Sequence, residues 1–170
     1  MDHEQLRLGS DLLAAIRAGV SSAVEYGGAF VAPSHLILGV LGDEQVGPVL
    51  EPLVPREKIL RAAEEAPKKL PGVVEVPEGA LPERERPPFV RYNTLAFHSL
   101  DGTRVLYLDG EANRLFVEGS RRADGTYHVR HLVMGCAAEA VKDRELLELF
   151  GADPAGVMAA MVALGDESFG

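Results

Sequence analysis

Apolar residues recur at helical spacing from the first turns of the chain. Leu13, Ile16, Val20 and Val24 form one stripe, so a helix is predicted over Ser10–Tyr26. Ser10 is the expected N-cap, and Gly27-Gly28 a natural stop because glycine tolerates the left-handed C′ conformation. A second helix is predicted from Pro33 to Leu41, with proline in its first turn. Val49–Leu53 reads as a short third segment. A fourth helix opens at Pro55 and runs through Ile59 and Leu60 to about Glu65.

The pattern then breaks. Six of the eleven prolines fall at 67, 71, 77, 82, 87 and 88, and residues 67–88 read as linker. From Phe89 to Leu108, β-branched and aromatic residues gather on either side of Asp101-Gly102, a hairpin-turn signal. One hairpin is predicted, with strands over Val90–His98 and Thr103–Leu108 and β structure confined to about 72–108. A helix across Tyr92–His98 is the alternative. Helical spacing returns after Asp109, an expected N-cap, with helices over Glu111–Ala123, Val129–Val141, Glu145–Phe150 and Pro154–Leu164. Asp153-Pro154 reads as a cap followed by proline at the first helical position.

The two helical blocks resemble each other. His35-Leu36-Ile37-Leu38-Gly39 lies 96 residues before His131-Leu132-Val133-Met134-Gly135. A glycine inside a helix costs about 1 kcal/mol against alanine. Its placement four residues after histidine in both blocks implies a neighbouring helix close by. The expected fold is therefore mainly α: two pseudo-repeats of about four helices, related by an approximate twofold, with a small hairpin insert. The expected organisation is a single domain over 1–170, with repeat 1 at about 6–66, linker and insert at 67–108, and repeat 2 at about 109–165.

These segments resemble the Clp repeat domain found at the N-terminus of Clp unfoldases. There, a long helix leads to an aromatic-aliphatic pair and then to Thr-Glu-His-Leu-Leu-Leu-Gly-Leu-Leu or a variant. The first copy here is Phe30-Val31-Ala32-Pro33-Ser34-His35-Leu36-Ile37-Leu38-Gly39-Val40-Leu41. The second, Thr126-Tyr127-His128-Val129-Arg130-His131-Leu132-Val133-Met134-Gly135-Cys136-Ala137, is weaker. Tyr107–Ala112 is similar to the lead-in to the second repeat, and Phe150–Pro154 to a late turn. The resemblance leaves 67–106 unexplained except as an enlarged connection. It implies a domain that binds adaptors or substrate proteins. Some members read phosphorylated arginine through the glutamate before the repeat histidine, since a carboxylate pairs bidentately with guanidinium. Ser34 and Arg130 occupy the matching positions and supply no such charge, so that site is not expected to carry over.

Composition narrows the function classes. Within 170 residues there is no phosphate-cradling loop, because no glycine precedes any of the four lysines. ATP binding and hydrolysis by that route are not expected, and the resemblance then implies a stand-alone repeat domain. A formal net charge of −9 argues against nucleic acid as a partner. Residues Met1–Gln5 carry acid, and no long apolar run follows, which argues against a secretory leader or membrane span. The single cysteine, Cys136, permits no internal disulfide and suits a reducing compartment. A cytoplasmic location is expected.

Catalytic and metal roles are weighed residue by residue, and neither role is expected anywhere, nor is a cofactor. His128 and His131 lie three apart with Cys136 nearby, but a closed zinc site needs about four ligands. The preferred reading is a helix-start histidine bonded to backbone. His131 and Cys136, five residues apart, point about 140° away from each other on one helix. Ser34 lacks a Gly-x-Ser-x-Gly context. Arg121-Arg122 with His128 and Arg130 forms a basic cluster, read first as a solvated helix end. Phe89, Tyr92, Phe97 and Tyr107 make the insert too apolar for a passive linker, so residues 89–108 are expected to be a binding element. Ser34 and Arg130 join these four as candidate partner-binding residues, while His35, Gly39, His131 and Gly135 form the structural motif. The leading function is a non-catalytic protein-interaction module of the Clp pathway that binds substrate segments, adaptors or a Clp unfoldase. The alternative is a small-molecule or stress-ligand domain, a decoy for Clp N-domain ligands.

Overall fold

The computed structural model describes residues 7–66, 89–91, 94–149 and 153–169. Within them the order is β1 (Arg7–Leu8), α1 (Ser10–Glu25), α2 (Pro33–Leu41), α3 (Val46–Leu50), a 3-10 turn (Glu51–Leu53) and α4 (Arg56–Glu65). There follow β2 (Phe89–Arg91), β3 (Thr94–His98), β4 (Val105–Tyr107), α5 (Gly110–Ser120), β5 (Thr126–Tyr127), α6 (Val129–Ala140), α7 (Arg144–Leu149) and α8 (Pro154–Phe169). The predicted linker 67–88 lies outside the described residues.

The molecule is mainly helical, and its two four-helix sets are related by an approximate twofold. Within the sets, α1 packs on α2 and α5 on α6. Between them, α1 meets α6 as α2 meets α5, and α3 meets α8 as α4 meets α7. One apolar core runs through both sets, from Leu12, Ile16 and Leu36 to Leu115, Tyr127 and Leu132. On α1 the innermost residues are Leu12, Ile16, Val20 and Ala23. The predicted stripe is thus shifted by one position at its ends, because Leu12 and Leu13 are equally apolar and sequence spacing does not choose between them.

The repeat begins before the helices. Leu8 pairs in parallel with Tyr127, and Leu108 with Val31, so each set's first lead-in segment joins the other set's second. Gly9 N–H donates to Tyr127 O (2.8 Å) as Asp109 N–H donates to Val31 O (2.9 Å). β structure is therefore not confined to the insert. Two-residue lead-ins have backbone groups to satisfy once buried between helices, and they satisfy one another.

The insert is not a single hairpin. β2, β3 and β4 form an antiparallel meander, with Arg91 opposite Thr94 and His98 opposite Val105. The predicted first strand is therefore two strands, and the helix alternative over Tyr92–His98 gives way to β3. The Asp101-Gly102 turn is wider than a two-residue loop. Gly102 N–H returns to Ser99 O, Gly102 takes φ 74°, and Asp101 accepts from the Ser99 and Thr103 hydroxyls. Those bonds hold the exposed Asp101 carboxyl down at about 2.

Helix starts also refine the expectations. Gly9, not Ser10, is the N-cap of α1. Asp109 caps α5 through the Ala112 N–H (2.7 Å), and Asp153 caps α8 through the Gly156 N–H (3.0 Å). No helix among the described residues is long and apolar enough to cross a membrane.

Candidate functional site

The duplicated His-x-x-x-Gly frame is built the same way twice. His35 and His131 both stand at the third position of their helices. Ala32 N–H donates to His35 Nδ1 (3.0 Å), and His128 N–H to His131 Nδ1 (2.9 Å). Each imidazole thus takes the place of a capping side chain and satisfies an N–H at the helix start. His35, fully buried, also donates from Nε2 to the Ala63 carbonyl (3.2 Å), tying α2 to α4. Its two bonds require the neutral Nε2–H tautomer. Burial, aided by the charges of Arg130 and His128, holds His131 down at about 4, so it too is neutral near pH 7.

Four residues on, the glycines let helices touch. A Cβ on Gly39 would collide with Ala15 O and stand 2.7 Å from Gly19 N. A Cβ on Gly135 would collide with Gly119 N and stand 2.8 Å from Gly119 Cα. The crossing partners Gly19 and Gly119 do not share the repeat offset of the histidines. They are 100 residues apart rather than 96, because α1 is five residues longer than α5 and the connection after it is one residue shorter.

Each helix start opens on a groove. Groove 1, about 800 Å³, lies between the start of α6 and the start of α1. Arg130, His128, Asp11, Asp43 and Glu44 line it, with Leu100 of the insert's turn on its rim. That turn is pinned by Leu100 N–H donating to Ser21 Oγ (2.9 Å). Asp11 reaches across from α1 and accepts from Val129 N–H (3.0 Å) and His128 Nδ1 (3.1 Å). Burial alone would raise the Asp11 carboxyl, but these donors and the His128 charge outweigh it and hold it below the ordinary 3.8.

Groove 2, about 650 Å³, lies between the starts of α2 and α5 and is walled by α4 and α7. Its apolar lining comes from Ala32, Pro33, Ala62, Ala66, Leu146 and Leu149. Glu65, Glu111, Glu145 and Glu148 edge it with Asp109, against Lys58 and Arg61. Burial raises the Asp109 carboxyl despite its N–H bonds. Glu111 is raised by burial and by the nearby charges of Asp109, Asp143 and Glu145.

The candidate partner residues fall in different places. Ser34 is buried and lines groove 2, while Arg130 lines groove 1 and lies beside Gly165 of α8. Phe97 is corrected: it is 1% exposed and packs against Phe116 with ring centroids 5.9 Å apart, so it is core and offers nothing to a partner. An apolar residue in a strand serves core or interface alike, and composition does not separate them. Tyr107 is half-buried on β4. Phe89 stands in β2 by its backbone, its side chain outside the described residues, as is Tyr92. Arg121 follows the last turn of α5 and pairs with Glu118.

The polar groups that invite chemical readings are otherwise engaged. His128 and His131 use Nδ1 for the bonds above. Burial pushes the Cys136 thiol up to about 12, so it is a protonated core side chain at pH 7. Among the described residues, no cluster of three His, Cys, Asp or Glu side chains is arranged to hold a metal ion.

No protein-family model matches the chain, and no curated protein matches it in sequence. A solved structure does match. It is the crystal structure of the N-terminal domain of the caseinolytic-protease-associated chaperone ClpD from Arabidopsis thaliana, with a TM-score of 0.56. The match covers 98% of this chain and 97% of that one at 17% identity. The fold is that of a Clp N-terminal domain. The insert, which sequence resemblance leaves aside, is included in a match of this extent. At such identity the likeness is one of architecture, and the grooves of this Clp N-domain fold are read from their own residues.

Proposed function

We propose that this chain is a non-catalytic protein-interaction module of the Clp system, binding substrate segments, adaptors or a Clp unfoldase. The observation that carries the reading is the end-to-end match to a Clp N-terminal domain. Two open grooves, each at a helix start and each lined by side chains from both four-helix sets, support it. Open grooves lined by mixed apolar and charged residues suit extended chain segments, which contribute backbone hydrogen bonds and alternating side chains. The buried state of Cys136 and the structural engagement of His35 and His131 leave the chemistry of the grooves to charge and shape.

The test is affinity capture with the immobilised chain from a lysate of its source organism, read by quantitative mass spectrometry. Enrichment of Clp unfoldase, protease or adaptor subunits over a bare-resin control is expected. Absence of all three, with the captured chain folded by circular dichroism, overturns the reading.

A further inference from the structure

The twofold relation makes the two grooves comparable residue by residue, and one contrast stands out. Gly9 and Asp109 are equivalent N-caps, since each donates its N–H to the strand residue before the opposite set's second helix. Two residues on, Asp11 is therefore the counterpart of Glu111. The fold itself shows what a carboxylate at this position takes: Asp11 accepts from a backbone N–H and an imidazole N–H of the facing helix start. Facing Glu111, both donors are gone. Pro33 stands where Val129 supplies its N–H, and proline has none. Ala32 stands where His128 supplies its ring.

Among the described residues, no hydrogen bond or ion pair engages the Glu111 carboxylate, and the charge of Arg114, one turn on in α5, offsets its acidic neighbours only in part. Four further carboxylates line the same groove, against two cations on the α4 wall. Between them lies an apolar surface built by Pro33, Ala62, Leu146 and Leu149. A guanidinium or ammonium entering there supplies the donors that Glu111 lacks and relieves its repulsion with Asp109 and Glu145, while an adjacent apolar side chain covers the floor. The equivalent position in groove 1 offers no such vacancy. Its Asp11 is already bonded, and Arg130 adds positive charge to the same groove.

We infer that groove 2, and not groove 1, binds a segment of a partner protein carrying an unmodified arginine or lysine next to an apolar residue. This deepens the interaction reading above and rests on it. A phosphorylated arginine or an acidic segment would meet repulsion from the same carboxylates.

The probe is a fluorescein-labelled ten-residue peptide of alternating leucine and arginine, with a counterpart carrying glutamate for every arginine. Fluorescence anisotropy should show saturable binding of the basic peptide only, weakening as salt is raised. The paired variant Glu111→Gln with Glu145→Gln should weaken binding by about tenfold. Asp43→Asn with Glu44→Gln, in groove 1, should change it less than about twofold. Both pairs replace surface carboxylates by isosteres, and circular dichroism checks that each folds. Ala32→His with Pro33→Val, which rebuilds the groove 1 arrangement, should also weaken the peptide. Equal binding of the acidic peptide, no binding of the basic one, or an undiminished affinity in the Glu111/Glu145 pair overturns the inference. If the peptide behaves as stated but no Clp subunit is captured, the groove stands and the Clp assignment falls. If Clp subunits are captured undiminished by the Glu111/Glu145 pair, the Clp assignment stands and the groove inference falls.

Discussion

The starts of α2 and α6 are the same construction with different surroundings. Both place a histidine at the third helical position, with Nδ1 taking the N-cap N–H, and both place a glycine four residues later at a helix crossing. Around that shared frame almost everything differs. The α6 start receives Asp11 from the other repeat, whereas the α2 start has proline and alanine and leaves Glu111 unmatched. The buried frame is constrained by contact distances that admit one residue type. The rim is constrained only by what it must bind. Duplication therefore persists in the core and fades at the grooves, where function resides in this account.

The sharpest way to break the comparison is at the crossings. Gly39→Ala and Gly135→Ala each drive a methyl into backbone of the facing helix, and backbone has no rotamer with which to yield. Each should cost about 3 kcal/mol or more in urea denaturation. Gly27 is the control: its φ of 72° disfavours alanine, but nothing lies near its absent Cβ, so Gly27→Ala should cost only about 1 kcal/mol. If Gly39→Ala costs no more than Gly27→Ala, the close crossing is wrong.

Next in size is an acid effect at His131. The folded state keeps this ring neutral down to about 4, against an ordinary value of 6.5. Unfolding therefore takes up a proton below about 6.5, and stability falls as pH is lowered from there to about 4, by about 2–3 kcal/mol in all. Denaturation midpoints at a series of pH values should trace this fall. His131→Gln should lose stability at pH 7 and flatten the slope between those limits. An unchanged slope would contradict the buried neutral ring.

The smallest expected effects come from the two equivalent carboxylates. Asp11→Asn should cost about 1 kcal/mol near neutral pH, because one amide oxygen replaces two carboxylate acceptors and the negative charge facing His128 and the Val129 N–H is lost. The depressed Asp11 value means that this contribution is present above the ordinary 3.8 and disappears as pH falls through the lower folded value, so the variant and the parent should converge in strong acid. Glu111→Gln should lie within about 0.5 kcal/mol of the parent, or be slightly more stable, because its raised value reports burial first and then repulsion from Asp109, Asp143 and Glu145. Matched thermal melts decide this. Equal losses in the two variants would remove the asymmetry between the grooves.

Much of the frame is legible in sequence because it depends on residue types with few substitutes. Pro33, His35 and Gly39 announce the start, cap and crossing of α2, and Asp109 and Asp153 announce their helices. What is hidden has specific causes. Gly19 and Gly119 fall at a different offset from the histidines, so one repeat distance does not find both. The two-residue strands before α1 and α6 are too short for any alternation to register, and their pairing is long-range. Phe97 reads as core-facing or exposed alike until Phe116 is seen against it. The groove asymmetry is hidden most deeply, since it turns on Asp11 meeting a helix start more than a hundred residues away.

The account comes down to which groove meets a partner protein. A photo-crosslinking amino acid placed at Ala62 in groove 2, and separately at Ala14 in groove 1, tests this directly in lysate, with adducts sequenced by mass spectrometry. Adducts to Clp subunits, adaptors or basic substrate segments are expected from position 62 and not from position 14. Adducts from position 14 alone, or from neither position, would contradict it.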